Sequence, residues 1–129
     1  MNQALWALSA VEVAAGIRAK KYSSREVTQA VLARIDATNP RINALPYVLT
    51  EEALAAADAA DRAVTSGAAL GVLHGVPVTT KVNIDQIGCT TTNGIAKLAD
   101  LIATIDSPVV ANLKASGAVN VGQIGRAHV

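Results

Sequence analysis

The sequence predicts an α/β fold in which helices pack around a mixed sheet. Three observations carry this. Two helix starts with serine caps stand near the N-terminus, and an alanine-rich helix follows them. From Val76 onward an apolar strand, a polar loop, a short helix and a second apolar strand succeed one another. Strand, loop, helix, strand is the order of a βαβ unit, which places the helix against a sheet. At 129 residues, 51% hydrophobic and 16% charged, the chain has the length and composition of one modest globular domain and not of a disordered segment.

The elements follow in order. Ser9, with Glu12 three residues on, is a capping box that starts a helix running to about Lys20, with Ala10, Val13, Ala14 and Ile17 on one face. Ser23 and Glu26 repeat the device. Val27, Ala30, Val31 and Ile35 form the second apolar stripe, and Asn39-Pro40 is expected to stop that helix. Asn43 to Leu49 reads as a strand or extended segment. Thr50 is expected to cap a third helix, whose first turn carries Glu51 and Glu52. Ala53, Ala56, Ala57, Ala60 and Val64 keep helical spacing, and Gly67 ends the helix. Gly71 to Pro77 turns into a strand ending near Lys81. Asp106-Ser107-Pro108 starts a further helix: Asp106 is expected to accept from its first N–H groups, and Pro108 suits an early position. Val109, Val110 and Leu113 are its expected buried face, Gly117 its end, and Ala118 to Val121 a short strand.

Several function classes lose support at once. The net charge is +1, so no electrostatic argument favours nucleic acid or an anionic membrane surface. No apolar run approaches the ~20 residues that span a bilayer, and the first residues lack a secretory pattern. Cys89 is the only cysteine, which excludes an internal disulfide and suits a reducing compartment. The expectation is a cytoplasmic protein. With no Phe, alanine and valine must fill the core, which suits close helix-on-sheet packing.

The chemistry concentrates in Gly71 to Asp85, GVLHGVPVTTKVNID. Val76-Pro77-Val78 leads through two threonines into Lys81, and Asn83, Asp85 and Cys89-Thr90-Thr91-Thr92-Asn93-Gly94 follow. Burial penalises an ammonium and lowers its pKa, which is how a strand-end lysine becomes a base. The bland alternative is a solvated strand-end lysine. Thr90 to Gly94 likewise reads either as a polar wall beside a site or as a turn in which Asn93-Gly94 supplies positive φ. His74 reads as a loop histidine with no partner for a metal site or a Cys/His dyad, and Asp58 and Asp61 as solvent-facing. There is no phosphate loop, zinc spacing or dinucleotide fingerprint.

Taken together, these segments resemble the N-terminal part of the amidase signature family. The resemblance rests on Ser24-Arg25-Glu26-Val27, Arg34-Ile35 with Asn39-Pro40, Ile42-Asn43-Ala44, GVPVTTK, Thr91-Thr92-Asn93-Gly94, Asp106-Ser107-Pro108-Val109-Val110, and Leu113 with Gly117-Ala118-Val119. Their order covers nearly all of residues 5 to 122. The resemblance implies a carboxamide hydrolase with a Ser–cis-Ser–Lys triad, whose lysine corresponds to Lys81. It implies no cofactor and no metal, a small-molecule amide as substrate, and a homodimer of the full-length protein as one assembly. The family's two serines lie in a later GGSSGGS-like stretch. Ser9, Ser23, Ser24, Ser66, Ser107 and Ser116 are the only serines here, and none sits in a glycine-rich loop. The family's usual acid after the lysine is Val82 in this chain; strand alternation would point residue 82 away from the lysine side.

Residues 1–123 are therefore expected to be the N-terminal portion of an amidase domain. Residues 124–129, Ile-Gly-Arg-Ala-His-Val, match one reading frame of the common sequencing adapter AGATCGGAAGAGCACACGTC. They are expected to be a non-native read-through tail with Gln123 as its junction, which removes His128 from the candidate ligands. Such a truncated sheet is expected to be poorly stable and inactive alone. Two other readings stay open. One is the glutamine-hydrolysing subunit of a tRNA-dependent amidotransferase, and the other is a helical interaction module.

Overall fold

A computed structural model describes residues 3–125 of the chain. The elements are α1 (Ala10–Arg18), α2 (Ser24–Ile42), β1 (Tyr47–Val48), α3 (Thr50–Ser66), β2 (Pro77–Lys81), α4 (Pro108–Ala115) and β3 (Val119–Ile124), with 3-10 turns at Leu5–Ala7 and Ala96–Leu98. Both predicted capping boxes form. Ser9 Oγ accepts from Glu12 N at 3.3 Å, Ser23 Oγ accepts from Glu26 N at 3.0 Å, and each glutamate accepts the serine N–H in return at 2.7 Å. These bonds hold both carboxyls below the usual glutamate range.

Four local expectations differ from what forms. Pro40 does not stop α2, which runs on to Ile42 and ends at Asn43 in the left-handed region, φ 47°. A proline in the last turn removes one intrahelical bond only. The exit is then clasped by Asn39, whose side chain bonds both the N–H and the C=O of Leu45 at 2.9 and 2.8 Å. Leu49, not Thr50, caps α3, because Leu49 N donates to Val121 O at 3.0 Å and ends the strand pairing there. Ser107 caps α4, accepting from Val110 N, and frees Asp106 for the loop. Finally, Val109 is 54% exposed; the buried face of α4 is built on Val110.

Asp61 does not simply face solvent either, while Asp58 stays partly exposed. Asp61 reaches from α3 to the start of α2 and accepts from Ser24 N at 2.7 Å and Arg25 N at 3.0 Å. A carboxylate at a helix N-terminus satisfies orphan N–H donors and suits the dipole. Asp58 pairs with the Arg25 guanidinium at 2.6 Å.

The sheet has three strands in the order β1-β3-β2. β1 runs antiparallel to β3, and β2 runs parallel to it, so the sheet is mixed and β2–α4–β3 is the expected βαβ unit. One core cluster joins Leu32 of α2, Ala53 and Ala57 of α3, and Val119 and Val121 of β3. The second joins Val13, Ile17, Val27 and Val76. Ala53 and Ala57 are fully buried, so α3 lies close against the sheet, as the alanine-rich face predicts. Each fully buried valine or leucine stabilises by roughly 1.5–3 kcal/mol.

The pairing of β2 with β3 is irregular at one point. Val78 pairs with Asn120 but Thr79 pairs with Gly122, so Val121 has no partner on β2. The extra residue is on β3, so that strand bends there and its pairing with Thr79 to Lys81 shifts by one residue.

Of the tail 124–129, Ile124 and Gly125 are described. Ile124 pairs with Lys81 at the end of β3. His128 lies outside the described residues.

Candidate active site

Lys81 is the last residue of β2. Its neighbours show the pleat: Thr80 and Val82 are 6% and 5% exposed, while Thr79 and Lys81 are exposed. Val82 therefore does point away from the Lys81 side. It packs toward Pro46, Tyr47 and Thr92 around a cavity of about 270 Å³. The backbone after Lys81 turns at once, with Ile84 N donating to Lys81 O at 2.9 Å and Val82 N donating to Ile124 O at 2.9 Å. Among the described residues the Lys81 ammonium has no ion pair and no hydrogen bond. The desolvation that a neutral lysine needs is thus not supplied by these residues.

The six serines are occupied elsewhere. Ser9, Ser23 and Ser107 are helix caps. Ser24, fully buried, donates to Gly75 O at 2.9 Å. Ser66 and Ser116 donate to carbonyls of their own helices. None is bonded to Lys81.

Beneath Lys81, on the covered face, lies a polar group that the sequence reading missed. Thr80 Oγ1 donates to Gln86 Oε1 at 3.2 Å. Asn120 Nδ2 also donates to Gln86 Oε1, and to Thr80 Oγ1 at 3.4 Å. Gln123 Nε2 donates to Ile84 O at 3.4 Å. The available signal was the pair of amides, Asn120 and Gln123, interrupting an apolar strand.

The threonine cluster divides its work. Asn93 and Gly94 have φ of 50° and 77°, which is the turn reading. Thr90 bonds the Tyr47 hydroxyl at 2.6 Å, Thr91 bonds Asp85, and Thr92 Oγ1 accepts from Gly94 N at 3.2 Å. Asp106 pins the same loop to α4: it accepts from Ile87 N at 2.9 Å and from Lys114 Nζ at 2.6 Å. The Lys114 hydrogen bond holds the Asp106 carboxyl below its usual range, with the Ile87 amide adding to it against the effect of burial.

A larger cavity of about 510 Å³ opens between α3, this loop and α4, with Glu52, His74, Gln86, Cys89, Lys114 and Asn120 in its walls. Lys81 is not among them. Burial pushes the Cys89 thiol up, the Glu52 and Asp106 carboxylates add to this, and Lys114 opposes it. A thiol kept protonated is a poor nucleophile. The His74 ring is held by the backbone, its Nε2 lying 2.9 Å from Ala60 O. Among the described residues no three His, Cys, Asp or Glu side chains converge as a metal site, and no helix is long and apolar enough to cross a membrane.

A profile of the family described as Amidase matches residues 26–124. The chain belongs to the amidase family. An indoleacetamide hydrolase of Bradyrhizobium diazoefficiens is 48% identical over 118 residues, covering 92% of this chain and 22% of that protein. A glutamyl-tRNA(Gln) amidotransferase subunit of Alkalilimnicola ehrlichii is 46% identical over 112 residues, covering 87% of this chain and 23% of that protein. A bacterial aryl acylamidase of the amidase signature enzymes superposes with a TM-score of 0.86 at 28% identity, over 92% of this chain and 25% of that one. The amidase fold expected from the sequence is thus found. The chain spans less than a quarter of the length of either curated relative.

Proposed function

We propose that this chain is the N-terminal portion of an amide hydrolase in which Lys81 is the general base. In the proposed reaction a serine Oγ supplied by the rest of the protein attacks the amide carbonyl carbon. Its proton passes through a second serine to neutral Lys81 Nζ. The tetrahedral adduct expels ammonia or an amine, which takes a proton back, and water then hydrolyses the acyl-enzyme to the carboxylate. A weak hydroxyl nucleophile needs such a base.

The supporting observation is the placement of Lys81. It ends a strand, projects from the face opposite Val82 and Thr80, and among the described residues has no carboxylate bound to it that would hold it as an ammonium. The proposed substrate class is a small or medium carboxamide in the cytoplasm, a reducing compartment that suits the single thiol of Cys89.

The test is Lys81→Ala in the full-length protein, assayed on a panel of carboxamides. Loss of a general base is expected to lower kcat/KM by roughly 10²- to 10⁴-fold. Undiminished amide hydrolysis would falsify the assignment.

The 46% identity to an amidotransferase subunit favours a second reading, a glutamine-hydrolysing protein that works inside a complex. Val82, in place of the family's acid, weighs against it. Turnover of glutamine alone among the amides, and only with partner subunits added, would decide for that reading.

A further inference from the structure

We propose that the cluster of Thr80, Gln86 and Asn120 consists of positioning residues for Lys81. The inference rests on the reading of Lys81 as the base. It adds residues that act on the lysine from the opposite face of the sheet without touching substrate.

Lys81 lies between two anchored points. Before it, Thr80 is bonded to Gln86 and to Asn120 of β3. After it, the turn Lys81–Ile84 is held by Gln123 through the Ile84 carbonyl. Asn120 also ties to Gln86, so the segment leaving the strand is bound back onto β3 twice, at residues 84 and 86. Asn120 Oδ1 accepts from Gly122 N at 3.0 Å, spanning the bulged residue Val121 on β3. That bond orients the amide and leaves Nδ2 pointing at Gln86. The bulge bends β3 at Val121 and shifts its register against β2, and the cluster holds the end of β2 in that shifted register.

Two physical arguments favour positioning over simple stability. Thr80, Gln86 and Gln123 are 6%, 4% and 0% exposed. Burying amides there is no more stabilising than burying apolar side chains of the same shape, because their bonds only offset lost hydration. What the cluster does supply is directionality. A lysine carries its amine on four flexible carbons, so the fold can set only its Cα position and Cβ direction. Those are the two quantities that anchoring Thr80 and the Lys81–Ile84 turn determines.

The experiment uses the full-length protein and reads kcat, KM and melting temperature together. Thr80→Val and Asn120→Leu are each expected to lower kcat by roughly ten- to a hundredfold, the scale of an ångström-sized misplacement, with KM unchanged. Thr80→Ser, which keeps the hydroxyl, is expected to retain kcat. The triple variant Thr80→Val, Gln86→Leu, Asn120→Leu leaves no unpaired partner among the three, and outside them only the Gly122 N–H loses its side-chain acceptor. It is expected to recover part of the melting temperature lost in the single variants while kcat stays low. Recovery of kcat along with stability in the triple variant would show a merely structural role and overturn the inference. So would Thr80→Ser falling as far as Thr80→Val. If Lys81→Ala is inactive while the cluster variants keep full kcat, positioning fails and the base stands. If Lys81→Ala keeps full activity, both fail.

Discussion

The helical shell and the segment that follows Lys81 are held together by opposite means. Helices α1 and α2 start on serine caps three residues from their glutamates, and α1 to α3 bury alanine and valine at helical spacing. Residues 82–107 contain one 3-10 turn and an isolated bridge between Thr90 and Ile102. That segment is tied down by contacts distant in sequence, Tyr47 to Thr90, Ile87 to Asp106 and Asn120 to Gln86. It also presents Ile87, Ile95, Leu101, Ile102 and Ile105 outward, each more than half exposed. The shell starts two of its helices on local caps and exposes few large apolar groups, Val11 and Ile42 among them. The segment beside the candidate base is held at longer range and, apart from Val82 and Cys89, turns most of its large apolar groups outward. Order near the site is thus borrowed from β3, the one strand both regions share.

Gly122→Ala is expected to have the largest effect, because it strikes that shared strand. A Cβ there would overlap the Tyr47 carbonyl oxygen, a backbone atom that cannot move without parting β1 from β3. Overpacking of this kind costs about 3 kcal/mol. Amide hydrogen exchange in the full-length protein should show Leu49 N–H, which bonds Val121 O, and Val82 N–H, which bonds Ile124 O, losing protection together. Loss at Leu49 alone would mean that the two regions do not depend on a common strand.

Asp61→Ala should act on the shell alone. It removes both acceptors from the start of α2, and loss of a helix cap costs about 1–2 kcal/mol. Exchange is expected to rise at the Ser24 and Arg25 amides and to stay unchanged at Ile87 and Gly88. Equal loss at Ile87 would erase the distinction between locally and distantly specified regions.

The same distinction explains what was legible in the sequence. Ser9 with Glu12, Ser23 with Glu26, and Gly67 were readable because each device acts within one turn of its own helix. The βαβ order and the strand ending at Lys81 were readable from apolar runs and their punctuation. What escaped depends on pairing across the sheet or between elements. Leu49 caps α3 because of Val121, not because of its neighbours. Asp61 serves a helix that begins 37 residues earlier. Asp106 left its own helix start for Ile87 and Lys114 because Ser107 could take the cap. The Thr80, Gln86, Asn120 and Gln123 cluster needs the bulge at Val121, since a register without it would move Gln123 to the other face. The family resemblance supplied the role of Lys81, and no local pattern would have supplied the residues beneath it.

The smallest expected effect is an acid response confined to the segment after Lys81. The Lys114 hydrogen bond and the Ile87 amide depress the Asp106 carboxyl in the folded state, while an unfolded aspartate titrates at about 3.9. A depressed carboxyl contributes stability above its unfolded value and loses it as pH falls through the folded one. Protection at the Ile87 amide, corrected for intrinsic exchange, should therefore fall only below about pH 4. Glu12 and Glu26 are depressed too, by bonds to their serine caps, so the helix starts weaken over a similar acid range. Asp106→Asn separates the two contributions. It keeps an oxygen for Ile87 N–H but removes the charge that Lys114 meets, so the acid step at Ile87 should vanish while the steps at the Glu12 and Glu26 amides remain. An acid step at Ile87 that survives in Asp106→Asn would show that the segment loosens because the helical shell does, and the two regions would then be one unit in acid.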